Sequence, residues 1–188
     1  MTRIMTTTRI KRSLFILALV LPLATAQAQV FEKEKIDFDK LFRERLSQNG
    51  KTLNLAGKKI GDAGVKVLMS HAVLKKVAKL DLRYNGITEK GAQFIADSQN
   101  LAKVKTLELR HNFLGDAGAV LLAQSENFND LKTLKLGWNE IRDAGALAFA
   151  KQKITKLNKL DLRGNFLSEK TKTELKTSLS HFKSLLLY

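Results

Sequence analysis

The chain has 188 residues, with 33 Lys and Arg against 18 Asp and Glu for a formal charge of +15, no cysteine, one proline and three histidines. That length suits one domain with a processed extension, and 44% hydrophobic residues are ample for a core. Without cysteine there is no disulfide framework, no Cys-ligated zinc or iron–sulfur site and no thiol nucleophile, while His71, His111 and His181 are too scattered for a paired-histidine metal motif.

Residues 1–28 are predicted to be a cleavable secretory signal peptide. Arg3, Arg9, Lys11 and Arg12 make a basic start without an acid, the apolar run from Leu14 to Leu21 follows, and after Pro22 comes the small-residue string Ala24-Thr25-Ala26-Gln27-Ala28. This is the order of a signal peptide with A-x-A cleavage after Ala26 or Ala28. A run of about a dozen apolar residues falls short of the roughly 20 that span a bilayer, so no transmembrane segment is expected in the mature chain. The protein is therefore expected to be exported, periplasmic or secreted. Cleavage removes those four basic residues and lowers the charge from +15 to +11. Nucleic acid is then not expected as a partner, and acidic proteins or anionic envelope surfaces take its place.

Residues 29–50 follow as a predicted N-terminal cap helix, in which Ile36, Phe38, Leu41, Phe42 and Leu46 keep helical spacing among charged residues. From 51 to 188 the chain repeats itself. Leu53-Asn54-Leu55, Leu80-Asp81-Leu82, Leu107-Glu108-Leu109, Leu134-Lys135-Leu136 and Leu160-Asp161-Leu162 start at intervals of 27, 27, 27 and 26 residues. Asn85, Asn112, Asn139 and Asn165 stand at one fixed offset after the leucine pairs, with Ile87, Leu114, Ile141 and Leu167 two residues on; the first unit has Lys58 in place of the asparagine. In a strand the two leucines share a face and the residue between them points away. Phe182, Leu185 and Leu187 continue the strand phase to Tyr188. That sixth strand is open to two readings, an edge for pairing with another chain or a strand protected by the Lys-rich helix before it.

The pattern L-x-x-L-x-L-x-x-N-x-L resembles the leucine-rich repeat. The second halves, such as Gly61-Asp62-Ala63-Gly64, Gly115-Asp116-Ala117-Gly118 and Arg142-Asp143-Ala144-Gly145, are similar to bacterial members of the ribonuclease-inhibitor-like subfamily. The resemblance covers roughly residues 46–188. It implies an α/β fold, a right-handed solenoid bent into a horseshoe arc, with about five repeats plus a closing strand, parallel β-strands on the concave face and α-helices on the convex face. It also implies that Asn85, Asn112, Asn139 and Asn165 stack inside as a structural ladder.

Asp62, Thr88, Asp116, Asp143 and Ser168 lie where helices should start and are expected to cap them. Gly91, Gly118 and Gly145 inside those helices lower propensity by about 1 kcal/mol each, and close approach of helix to strand is the expected reason for them. No catalytic or metal motif occurs, so neither catalysis nor a cofactor is expected. His71 and His181 are read as solvated polar positions and His111 as a surface residue of the strand segments.

Outward positions of neighbouring strands form columns about 4.8 Å apart. One column is Asn54, Asp81, Glu108, Lys135, Asp161 and the next is Ala56, Arg83, Arg110, Gly137, Arg163. Wherever the first holds an acid the second holds Arg, which reads as exposed neutralisation across the face. A second reading is a binding patch of Arg83, Tyr84, Arg110, His111, Lys135, Trp138 and Arg163. Tyr84, His111 and Trp138 follow each other on successive strands; alternation alone would turn them inward, whereas the resemblance puts them at the concave rim. Trp, Tyr and Arg together have the composition of an interface anchor, and Gly137 is expected to leave a notch for a partner's carboxylate. The lysines before each strand form a basic rim that serves solubility or attaches the chain to an anionic envelope polymer. The function expected is non-enzymatic protein recognition through the concave strand face. The alternatives are an envelope-associated structural protein held by its basic rim and a secreted effector acting on host proteins.

Overall fold

The structure is a computed structural model that describes residues 36–188. The signal-peptide reading and the first residues of the cap segment fall outside that range. Six three-residue strands form one sheet, β1 (Thr52–Asn54), β2 (Lys79–Asp81), β3 (Thr106–Glu108), β4 (Thr133–Lys135), β5 (Lys159–Asp161) and β6 (Ser184–Leu186). They lie in chain order and every neighbouring pair is parallel. The register follows the sequence period: Leu53, Leu80, Leu107, Leu134, Leu160 and Leu185 are successive partners. A parallel pair needs a crossover between its strands. Four of the five crossovers hold helices here named α2 (Gly61–Ser70), α3 (Glu89–Asp97), α4 (Gly115–Ala123) and α5 (Asp143–Leu147), and the fifth holds α6 (Glu169–Ser178); α1 (Phe38–Arg45) precedes the sheet.

The leucine pairs from Leu53 to Leu162 are buried, and so are Ile95, Leu122 and Phe149 of the helical side. No repeat covers both its own faces, so this core exists only because the units stack. At the front, α1 seals the stack with Phe42, which is fully buried, and Phe38, whose ring lies 5.8 Å from it. His71 is not the solvated position expected. Its ring meets Phe42 edge-on at 5.3 Å, its Nδ1 accepts from the Val73 N–H at 3.0 Å, and its Nε2 lies 2.8 Å from Asp39 Oδ1. The hydrogen bond from His71 is the largest of the effects that hold the Asp39 carboxyl below its ordinary range. At the back, β6 pairs with β5 and buries Leu187, while Lys176 of α6 donates to the Tyr188 hydroxyl at 2.7 Å and lies 5.0 Å from its ring centroid.

The asparagines bond as the resemblance implied. Asn112 Oδ1 accepts from the N–H groups of Asn85 and Ile87 at 3.0 and 3.1 Å, and its Nδ2 donates to the carbonyls of Leu82 and Leu109 at 3.1 and 2.8 Å. Asn165 does the same for the unit before it, and Asn85 accepts from Ile60 N–H and donates to Leu55 C=O. One rung is incomplete, because Asn139 donates to Leu109, Leu136 and Gly137 but its buried Oδ1 accepts from nothing.

The helix starts depart from expectation. Thr88 and Ser168 cap their own helices, accepting from Lys90 and Thr171. Asp62, Asp116 and Asp143 sit inside the first turn or at its first residue and reach instead to the next unit. Asp62 accepts from the N–H and hydroxyl of Thr88 at 2.9 and 2.7 Å, Asp116 from the N–H groups of Arg142 and Gly145 at 2.7 and 3.0 Å, and Asp143 from Ser168 N–H at 2.8 Å. This also corrects the reason for the helix glycines, which is close approach of helix to helix. A β-carbon on Gly145 would lie 2.7 Å from Asp116 Cα, and one on Gly91 would strike the Asp62 carboxylate. A further repeated device ties the helix ends backward, with Ser98 and Asn100 donating to Met69 C=O and Ser125 and Asn127 to Ala96 C=O. These bonds satisfy carbonyls that a helix C-terminus leaves without a partner.

Candidate functional site

Three residues beyond each of the first five strands stands the column Gly57, Tyr84, His111, Trp138, Gly164, and all five have positive φ, +68° at the two glycines and +55° at the three ring residues. A single left-handed residue breaks the in-and-out alternation of a strand, so these rings turn to solvent instead of into the core. The rings stack in sequence: Tyr84 on His111 with centroids 4.2 Å apart and planes at 10°, and His111 on Trp138 at 4.7 Å and 9°. At the far end the indole covers Gly164, where a β-carbon would collide with it. A left-handed backbone costs an ordinary L-residue about 1–2 kcal/mol, and an aromatic pair returns about 0.5–1.5 kcal/mol.

Beside this stack runs a second, shorter row that the sequence reading passed over. Phe113, Glu140 and Phe166 each follow a ladder asparagine, and Phe113 and Phe166 are 59% and 61% exposed, more than Tyr84 at 54% or Trp138 at 42%. Their backbones are fixed by N–H bonds to Ile87 and Ile141. The two rows enclose a groove of about 390 Å³ lined by Tyr84, His111, Phe113, Trp138, Glu140 and Phe166. Arg142 lies over the Phe166 ring, 5.4 Å from its centroid. The signal for this row was the residue after each ladder asparagine, a column that reads Gly86, Phe113, Glu140, Phe166.

The cationic part of the predicted patch has another role. Arg83 grips Asp81 with bonds of 2.8 and 3.0 Å, Arg110 grips Glu108 with 2.6 and 3.0 Å, Arg163 grips Asp161 with 2.9 and 3.0 Å, and Lys135 lies 3.1 Å from the same Glu108. The acids beneath are 3–5% exposed, so the pairing is largely buried on the carboxylate side and not the exposed neutralisation expected. Burial alone pushes the Asp161 carboxyl up, and hydrogen bonds and charge from Arg163 outweigh it, leaving the group below its ordinary range. The Gly137 notch is filled as well: a β-carbon there would sit 2.8 Å from Arg163 C=O and 3.5 Å from the Arg110 methylenes. The structure thus brings Tyr84, His111 and Trp138 together as an open surface and assigns Arg83, Arg110, Lys135 and Arg163 to holding buried acids.

His111 is neutral near pH 7 because partial burial, and then the charges of Arg110 and Arg83, lower its pKa from the ordinary 6.5, against a small opposing effect of Glu108. Its folded value lies below its unfolded one, so its contribution to stability is full above pH 6.5 and is lost as the pH falls through the folded value. Trp138 is the single tryptophan, and a protonated imidazole quenches an indole stacked on it. Emission is therefore expected to fall on acidification with a midpoint below 6.5, and the step is expected to vanish in His111→Gln. A midpoint at or above 6.5 would contradict this geometry.

Among the described residues no group of three or more His, Asp or Glu is placed to hold a metal ion, and no helix is long and apolar enough to cross a membrane. Segments 74–96, 100–123 and 129–150 match the family described as Leucine Rich repeat. No curated protein matches the chain. Among solved structures, the tropomodulin C-terminal domain from Caenorhabditis elegans superposes with a TM-score of 0.59 at 14% identity, covering 77% of this chain and 92% of that one. At that identity the likeness speaks for the fold alone, and with the matched segments it makes this an α/β leucine-rich-repeat solenoid.

Proposed function

We propose that this leucine-rich-repeat chain is a non-enzymatic recognition module that holds a protein partner in the groove at the C-terminal rim of its strands, with Tyr84, His111 and Trp138 as anchors. The observation that carries the reading is the left-handed backbone of those three residues. The same register holds glycine at 57 and 164, where the conformation is free, yet three successive units keep bulky rings there, with Tyr84 and Trp138 exposed and His111 half-buried between them. Strain retained at an exposed position points to use of that position. Rings locked by stacking lose little entropy when a partner covers them, and this favours tight binding from a small area.

The groove suits aromatic and aliphatic side chains. An acidic partner finds no support in Arg83, Arg110 and Arg163, whose guanidinium groups already hold carboxylates. Export completes the proposal: the signal-peptide order of residues 1–28 supports a periplasmic or secreted protein and goes with a bacterial, ribonuclease-inhibitor-like reading of the repeat. The test is the double variant Tyr84→Gly, Trp138→Gly, which gives both positions the residue found at 57 and 164. Its stability is expected to stay within about 1–2 kcal/mol of wild type, because relieved strain offsets lost stacking. Capture of the native partner from the producing cells is expected to be abolished. Undiminished capture by this variant would reject the rim as the site.

A further inference from the structure

The N-terminal ends of the strands carry a different surface. The register aligns Thr52, Lys79, Thr106, Thr133, Lys159 and Ser184, and the residues just before them are Lys51, Ala78, Lys105, Lys132, Asn158 and Lys183. Every one of the six strands thus contributes one lysine from these two columns, and neither column holds an acid. In each case the lysine is exposed and the other residue is half-buried. At about 4.8 Å per strand the row runs roughly 24 Å.

Among the described residues none of these six lysines is in an ion pair, whereas neighbouring acids are taken by other lysines: Glu126 by Lys153 and Asp130 by Lys156, each at 2.6 Å. Asp130 also has its pKa lowered, first by its hydrogen bond to Lys156 and only weakly by the charges of Lys105 and Lys132. Between four of the lysines lies a cleft of about 290 Å³, lined also by Thr106, Thr133 and Asn158. The side chains of those three residues bond to no other group among the described residues, so their hydroxyl and amide donors are free.

We propose that this rim binds a linear polymer carrying phosphate or sulfate groups, seated along the cleft between Lys105, Lys132, Lys159 and Lys183. Single-file cations match a chain, and recessed neutral donors beside them match oxyanions that accept several bonds at once. A flat anionic bilayer would meet the exposed ammonium groups without reaching the recessed donors. Single-stranded nucleic acid is bound by a basic track with aromatic side chains beside it for the bases. Here the rings stand five or six residues further along the chain, Lys79 to Tyr84, Lys105 to His111 and Lys132 to Trp138, beyond the other ends of the strands. The lysine rim is therefore a second site, independent of the protein-recognition reading.

Titration calorimetry of the full chain with long-chain inorganic polyphosphate, and in parallel with dextran sulfate, tests the proposal at two salt concentrations. Binding of at least one polymer is expected, weakening with salt, and the tighter of the two names the anion. The variant Lys105→Gln, Lys132→Gln, Lys159→Gln is expected to bind at least about tenfold more weakly with a shallower salt dependence. Lys66→Gln, Lys90→Gln, Lys170→Gln removes the same charge from the helical side and is expected to stay within about twofold of wild type. All six positions carry exposed or solvent-reaching ammonium groups, so both variants are expected to keep the wild-type melting temperature. Absence of binding to both polymers by the wild-type chain, equal weakening in the two variants, or tighter binding of poly(dT), polyglutamate or phosphatidylserine vesicles would overturn it.

Discussion

Asn112→Ala is expected to destabilise the chain by about 3–5 kcal/mol and to lower its melting temperature by roughly 10–15 °C. The side chain serves five backbone groups: the N–H groups of Asn85 and Ile87, the carbonyls of Leu82 and Leu109 and, at 3.4 Å, that of Arg110. It is 2% exposed, so alanine would leave those groups in a space that water does not reach. Each buried group without a partner costs about 1–3 kcal/mol, and partial relaxation keeps the total below the simple sum. Asn165→Ala removes a similar set of bonds at a rung whose asparagine is itself only half-buried. It is expected to cost about half as much. Thermal denaturation of the two variants side by side checks the order, and a larger loss at Asn165 would show that burial does not set the worth of a rung.

The asparagine rungs and the strand leucines were legible because each recurs at a constant interval and has one thing it can do there. Other features recur at the same interval and still misled. Asp62, Asp116 and Asp143 stand near helix starts, the usual place of a residue that caps its own helix. Whether such a carboxylate bonds within its helix or across to the next depends on a displacement of one or two residues, since a side chain inside the first turn no longer faces that turn's N–H groups. The ring stack was visible as a column, but its exposure depends on the sign of φ at Tyr84, His111 and Trp138, and nothing in those residue types announces a left-handed backbone. The pairing of acid with arginine could be read from two columns varying together. That Asp81, Glu108 and Asp161 lie beneath their arginines could not, because it depends on each arginine folding back over the acid two residues before it and, at Glu108, on Lys135 of the next unit.

That last point reverses an expectation about Arg110. Read as part of a binding patch, Arg110 could be replaced without much loss of stability. With Glu108 4% exposed under it, Arg110→Ala is expected to cost about 3–4 kcal/mol, because a buried carboxylate would keep Lys135 alone as its partner. The Arg110 methylenes that cover Gly137 would go as well. Adding Glu108→Gln removes the stranded charge and is expected to recover about 1–2 kcal/mol of the loss. The four chains of this double-mutant cycle, compared by urea denaturation, measure the coupling directly. A double variant no more stable than Arg110→Ala would place the whole effect in lost packing over Gly137.

The carboxylates of Asp62, Asp116 and Asp143 support the unit that follows each of them, while the amide oxygens of Asn85, Asn112 and Asn165 support the unit before. Detaching a unit from either end of the stack thus strips hydrogen bonds from the neighbour left behind. A repeat array with one-way ties can fray cheaply from its free end, but ties in both directions penalise fraying from the front and the back alike and push the stack toward unfolding as one body. The same reciprocity bears on how such a chain can grow. Duplicating the 27-residue unit that carries Asn112 and Asp116 supplies a new amide and a new carboxylate in register. Deleting part of a unit, or inserting one residue between two leucine pairs, breaks bonds on both sides of the change. The 26-residue interval between Leu134 and Leu160 shows where one residue of slack is absorbed. It falls in the unit of the shortest helix, α5, whose five residues run directly into the 3-10 turn Ala148–Lys151, away from the rungs on either side.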